Sequence, residues 1–431
     1  MSSKGKTKVE TGDGSVLVPK HRFPEFRDAG DWQEKSLSSF LTLVARERKK
    51  PSEDYKGLGL RSHGKGTFLK EQEDPAKNSM EVLYEVKRED LIINITFAWE
   101  GAIAIAGCSD DGALVSHRFP TYIFSKDRAL PEFFKFKVVD KRFVYKLGLI
   151  SPGGAGRNRV MSKTNFLKLK VFLPKVDEQK KIANCLDAVD ALIAAQARKV
   201  EVLRYQKKGL MQQLFPRPER VEDGIKIPAE TRPRLRLPEF EGTSDWEEKP
   251  FSAIIDLVSG LHLSPDEYSD SGEVPYFSGP SDFTDELSEA RKWTASTKSA
   301  AKSGDTLITV KGSGVGEVWF SSLPAVALGR QLMAVRPKAG QIHRFVFQFL
   351  LTKKRRLEVL GEGNLIPGLS RPDILDLKAF FPKPPEQQRI ADFLTSLDDL
   401  IATEAQKLDT LKTHKKGLMQ QLFPQVGEGD A

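Results

Sequence analysis

Cations set beside glycines are the residues of this chain best placed to do chemistry. Arg61 and Lys65 lie in LRSHGKGT, Arg157 and Arg159 in PGGAGRNR, Lys311 and Ser313 in VKGSGVGE, and Arg330 in ALGRQ. Glycine lets backbone N–H groups and a neighbouring cationic side chain approach one phosphate together. A lone example is more often a turn with a solvated charge. With Arg118 added, the candidate phosphate contacts are Lys65, Arg118 and Arg157 in the first half of the chain, and Lys311, Ser313 and Arg330 in the second.

Catalytic chemistry is not expected. GLRSHGKGT is one residue from a nucleotide-binding P-loop, but Gly66 stands where a Ser or Thr must hold magnesium, and no buried strand runs into it. The histidines His21, His63, His117, His262, His343 and His414 lack ligand spacing, so no metal site is expected. GLSRP, from Gly368, lacks the second glycine of a serine-nucleophile elbow, and no glycine-rich loop of the GxGxxG kind occurs.

The elements that carry these loops must come from several domains, since 431 residues exceed one ordinary core. Lysine and arginine number 67 against 59 aspartates and glutamates, a formal charge of +8 that favours a polyanionic partner without proving one. Apolar residues at 39% and charged ones at 29% give the balance of a soluble globular chain. Cys108 and Cys185 are far apart and form no framework, so a reducing cytoplasm is the expected compartment. Residues 1–20 read as a polar leader. Leu91 to Cys108 is interrupted by Asn94, Thr96 and Glu100, so it reads as buried strands and no membrane span is expected.

The chain is written twice. Residues 173–216 and 381–424 align without a gap at an offset of 208, with 24 of 44 positions identical, and both end in KKGLMQQLFP. RFPEFRDAGDWQEKSL, from Arg22, matches RLPEFEGTSDWEEKPF, from Arg236, through Pro24/Pro238, Glu25/Glu239 and Trp32/Trp246. Between these landmarks the copies diverge. Each shared segment carries an apolar seam spaced four and three, which includes Leu186, Ile193 and Leu203 in the first and Leu394, Ile401 and Leu411 in the second. So narrow a stripe is that of a helix packed on a helix. Roughly 40 residues at 1.5 Å each make a helix of about 60 Å.

Polar residues recur at the same seam positions, Gln196/Glu404 and Lys207/Lys415, where they either fix register or are simply solvated. Pro384 and Pro385 suit a first turn, while Pro216 and Pro424 follow a last one. Gly209 and Gly417 imply either fraying or a close backbone contact. The two helices pair either with each other, the linker at 217–234 letting the chain double back, or with a second copy as a homodimeric coiled-coil adaptor that binds no DNA. The variable segments at 21–172 and 235–380 alternate short β-rich runs such as Leu91–Phe97, Tyr122–Phe124, Thr306–Val310 and Leu332–Val335 with glycine and serine loops, and predict α+β domains. A tail follows at 425–431.

Two variable segments, each followed by a helix that begins with EQxxIA (Glu178-Gln179-Ile182-Ala183; Glu386-Gln387-Ile390-Ala391) and ends in KKGLMQQLFP, resemble the specificity subunits of Type I restriction-modification enzymes. The resemblance implies two target-recognition domains, each reading half of a split site on double-stranded DNA. Two long antiparallel helices would separate them as an intramolecular coiled coil, in a pseudo-two-fold arrangement. It further implies a non-catalytic subunit that holds two adenine methyltransferase subunits and, where present, restriction subunits. S-adenosylmethionine would belong to the methyltransferase partner, and ATP and magnesium to the restriction partner. In agreement, this chain lacks the (D/N)PP(Y/F) motif of such methyltransferases; the nearest string, Lys383-Pro384-Pro385-Glu386, departs at both ends.

Overall fold

The structure is a computed structural model that describes residues 18–153, 159–217, 219–222, 225–312, 314–362 and 368–424. Two compact units divide the chain. One runs up to Ala195 and takes in the chain again from Asp409; the other is Gln196–Leu408.

The first unit holds a four-stranded sheet in the order Leu41–Val44, Thr121–Phe124, Leu91–Ile93, Ile103–Ile105. Apolar residues do not alternate in Leu91–Ile93 because that strand is buried on both faces, with Leu91, Ile92 and Ile93 all inaccessible, whereas Leu43 and Ile123 on the strands beside it are exposed. A mixed five-stranded sheet adds Glu47–Lys49, Val82–Glu85, Leu114–Val115, Tyr55–Leu60 and Thr67–Glu73. Helices α1 (Pro131–Lys137), α2 (Lys141–Leu149) and α3 (Lys163–Lys168) follow. Proline opens α1, and the side chains of Asp140 and Ser162 cap α2 and α3.

The second unit repeats the four-stranded sheet as Ile255–Ser259, Leu332–Pro337, Thr306–Thr309 and Val318–Phe320. Its other sheet orders Trp293–Thr294, Val274–Phe277, Ala325–Leu328 and Ala300–Lys302. The two four-stranded sheets share one register. Thr121 pairs with Val44 and Ile92, and Ala334 pairs with Val258 and Leu307 in the same places. The expected linker contains a small antiparallel ribbon, Arg220–Glu222 with Ile225–Ile227, that its proline and charge content did not suggest.

The conserved segments form α4 (Val176–Leu214) and α7 (Pro384–Leu422), and between them lie α5 (His343–Glu362) and the short α6 (Arg371–Leu375). In the second unit α4 and α7 run antiparallel, since Gln196 meets Glu404 while Lys207 meets Asp398. In the first unit Ile182 and Leu186 of α4 share a core with Leu422 of α7, and Asp190 meets Lys415, which is again antiparallel. The helices therefore pair with each other inside one chain. Leu186 and Leu394 are fully buried, and Ile193, Leu203, Ile401 and Leu411 are half-buried.

The duplicated ending finds its place in these cores. Phe423, after α7, packs on Trp32 and Phe133 at 6.0 and 5.4 Å between ring centres. Phe215, after α4, packs on Trp246 and Phe345 at 6.3 and 5.4 Å. Each KKGLMQQLFP thus completes the core that contains the tryptophan of the other repeat. Gly209 and Gly417 differ from both sequence expectations. Helix continues past them, and a Cβ added at either meets nothing within 4 Å. The buried Leu214, Phe215, Leu422 and Phe423 hold the last turns in place of fraying.

Candidate nucleic-acid interface

The start of each long helix anchors the domain before it. Glu178 accepts from Arg22 at 2.8 and 2.6 Å and from the Trp32 indole at 3.3 Å. Glu386 accepts from Arg236 at 2.8 Å on each oxygen and from the Trp246 indole at 3.1 Å. The hydrogen bond to Glu178 and its charge raise the pKa of the Arg22 guanidinium against desolvation, and Glu386 does the same to Arg236. A buried charge needs such a paired, fully bonded site.

The neighbouring glutamines act on backbone. Gln179 donates to the carbonyls of Arg128 and Pro174 and accepts from the Leu130 N–H, all at 2.9 Å. Gln387 donates to the Pro382 carbonyl at 2.9 Å and accepts from the Ile342 N–H at 3.2 Å. The EQ pair is thus a mechanical joint between strand, helix and core. Sequence reasoning marked it as a shared motif but gave it no role.

The polar seam positions are paired rather than solvated. The Gln196 amide donates to the Glu404 carboxylate at 2.7 Å and to its backbone carbonyl at 2.9 Å. Lys207 donates to both oxygens of Asp398 at 2.6 and 2.7 Å, and Lys415 lies 2.6 Å from Asp190. Asp190 and Asp398 are also 208 residues apart, so one ion pair is built twice.

In the first unit the segment Asn94–Gly101 collects the cationic loops. The N–H groups of His63 and Gly64 donate to the carbonyls of Glu100 and Gly101 at 2.7 and 3.0 Å. Left-handed backbone at His63, Gly64 and Gly66 makes the turn that carries Lys65. Ile95 donates to the Arg118 carbonyl at 3.0 Å and accepts from Met161 N–H at 2.8 Å. Arg159 stacks over Trp99 at 5.2 Å. Lys65 and Arg118 therefore both border this segment, beside a cleft of about 420 Å³ lined by Phe68, Asn94, Phe97, Ser116 and Phe119. Arg157 lies outside the described residues.

In the second unit Val310 donates to the Gln331 carbonyl at 2.7 Å and accepts from Leu369 N–H at 2.8 Å. Lys311, next in sequence, bridges Gly368 through backbone, and Arg330 precedes Gln331. Lys311 and Arg330 are thus brought to one rim. Its glycines are needed for close approach. Gly312 has φ +90° and faces the Gln331 amide, and a Cβ at Gly314 would lie 2.7 Å from Pro280. Ser313 lies outside the described residues.

Partnering separates two kinds of cation. Arg46, Arg48 and Arg336 are tied to Asp90, Glu85 and Asp305. Among the described residues Lys65, Arg118, Lys311 and Arg330 make no ion pair or side-chain hydrogen bond, and all four are exposed. Such side chains are available to a phosphate or a base edge. Among the described residues no group of three or more His, Cys, Asp and Glu side chains is placed to hold a metal ion, and no helix is long and apolar enough to cross a membrane.

Duplicated mixed domains, jointed to duplicated helices and edged with unpaired cations, define a class. The chain belongs to the family described as the Type I restriction modification DNA specificity domain, which matches at residues 29–204 and again at 243–413. It is similar to the type I restriction enzyme MjaVIII specificity subunit of Methanocaldococcus jannaschii, 25% identical over 61% of this chain and 63% of that protein. A second specificity subunit of that organism, MjaX, is 28% identical over 61% of this chain and 60% of its own length. The match to these relatives thus spans about 60% of their length.

Two solved structures share the fold. The S subunit of a Type I restriction-modification system from M. genitalium has a TM-score of 0.59 at 14% identity, covering 95% of this chain and 100% of that one. A chain from a structure of complex assembly and conformational transition in the type I R-M system has a TM-score of 0.55 at 20% identity, covering 93% and 98%.

Proposed function

We propose that this chain is the DNA-reading subunit of a Type I restriction-modification complex. Its two domains read the halves of a bipartite target, its long helices space them, and the chain scaffolds the adenine methyltransferase and restriction subunits. The observation that carries the reading is the repetition of one sheet register in two units whose loops differ almost completely. Each ends in exposed cations without protein partners. A shared frame with divergent loops suits two readers of unlike half-sites better than two copies of one adaptor surface.

The chain itself is read as non-catalytic. S-adenosylmethionine belongs to the methyltransferase partner, and ATP and magnesium to the restriction partner. Lys65, Arg118 and Arg157 serve the first half-site, and Lys311, Ser313 and Arg330 the second. Lysines contribute affinity through phosphates, which makes binding fall with salt.

Fluorescence anisotropy with the methyltransferase partner present tests this reading. Binding to a duplex carrying both half-sites should exceed binding to a scrambled duplex by at least about 10³-fold. Lys65→Ala or Lys311→Ala should weaken both and reduce the salt slope by about one. Binding that ignores sequence, or is absent, contradicts the proposal.

A further inference from the structure

We infer that Arg118 and Gln331 are equivalent base-reading residues, one in each domain, with the arginine selecting guanine and the glutamine adenine at matching positions of the two half-sites. The inference rests on the DNA-reading role proposed above and assigns residues to it.

Sequence alignment does not pair these residues; backbone hydrogen bonding does. Ile95 N–H donates to the Arg118 carbonyl and Ile95 O accepts from Met161. Val310 N–H donates to the Gln331 carbonyl and Val310 O accepts from Leu369 in the same pattern. Three residues beyond Arg118, Thr121 pairs with Ile92; three beyond Gln331, Ala334 pairs with Leu307. Ile92 precedes Ile95 by three, as Leu307 precedes Val310. The two turns are therefore held in one register on one sheet.

Both side chains end without protein partners. Arg118 is exposed, and its guanidinium makes no hydrogen bond or ion pair among the described residues. The Gln331 amide makes no hydrogen bond among the described residues either, although it is half-buried. It occupies a slot between glycines: a Cβ at Gly279 would fall 2.7 Å from its Oε1, and one at Gly312 would fall 3.7 Å from its amide atoms. A steered amide whose donor and acceptor are both unused suits the adenine edge, which offers one acceptor and one donor. A guanidinium suits the two acceptors of guanine. Lys311 and Arg330 flank the amide as phosphate contacts.

Exchange of the two side chains tests the inference in the full chain, produced with its methyltransferase partner, with N6-methyladenine mapped across the genome. Arg118→Gln should change one position of one half-site, with discrimination there falling roughly 10- to 100-fold, and leave the other half-site intact. Gln331→Arg should do the reverse, and the isosteric Gln331→Glu should move that position from adenine toward cytosine. Arg330→Ala should lower methylation evenly without altering the motif.

Folded variants of both residues that methylate the unaltered motif, or that weaken every position evenly, overturn the inference while leaving the reader role standing. A wild-type chain that directs no bipartite methylation overturns both. Circular dichroism and co-purification with the methyltransferase establish that the variants are folded.

Discussion

Glu178 and Glu386 each hold an arginine and an indole in a buried site, so removing either carboxylate strands a guanidinium away from water. Breaking a buried pair from one side costs about 3–5 kcal/mol. Glu178→Ala and Glu386→Ala should each lower the midpoint of urea unfolding by a matching amount, whereas a surface change such as Glu201→Ala should not. Gly209 and Gly417 offer the opposite prediction. Each sits in helix with open space around its missing Cβ, so Gly209→Ala and Gly417→Ala should each stabilise by about 0.5–1 kcal/mol. Loss of stability on either change would reveal a contact that the structure lacks.

Glu404 also sets a dependence on pH. The Gln196 amide first, and then Lys407 and Lys199, draw its carboxyl from the ordinary 4.5 down to about 2. A folded-state value below the unfolded one gives stability that is complete above about pH 4.5 and lost as the pH falls toward 2. Urea midpoints measured from pH 6 to pH 2 should fall less in Glu404→Gln than in the wild-type chain. Equal losses would show that the pair has no such role. The potential of these residues was only partly legible in sequence: the seam exposed Gln196 and Glu404 as polar breaks, but not that they bond to each other.

Among the elements, the long helices were the most legible. A narrow apolar stripe, a duplicated ending, prolines that open α7 and prolines that follow both helices mark the segments in which α4 and α7 form. Strand positions were also readable. Thr306–Thr309 and Leu332–Pro337 form where short apolar runs lie, although the run Leu91–Phe97 ends early because Asn94 turns the chain and accepts from the Thr96 N–H. What the sequence hid was partnership. Nothing local in KKGLMQQLFP says that Phe423 belongs beside Trp32 and Phe215 beside Trp246, because those contacts join residues 391 and 31 positions apart. Phe423→Ala and Phe215→Ala should each cost about 3–5 kcal/mol in unfolding free energy. A change below about 1 kcal/mol at both would contradict the packing described.

At the scale of the whole molecule, duplication was plain from the aligned ends, while the common frame of the variable parts was not. Backbone register carries that likeness, and divergent side chains conceal it: Arg118 and Gln331 share a position without sharing chemistry. The proposed division of labour makes helix length a determinant of half-site spacing. A heptad inserted in each long helix adds about 10 Å, near three base pairs, and should widen the unread gap while both half-sites stay the same. A gap of unaltered length would remove the helices from that role.

The most direct test of the reader role is a single-molecule map of N6-methyladenine in cells that carry this gene with its methyltransferase partner, set against cells lacking this gene alone. Methylation at one bipartite motif that disappears with the gene is the expected result. Methylation that persists without it, or that never appears while the partner is shown to be present, would contradict the account.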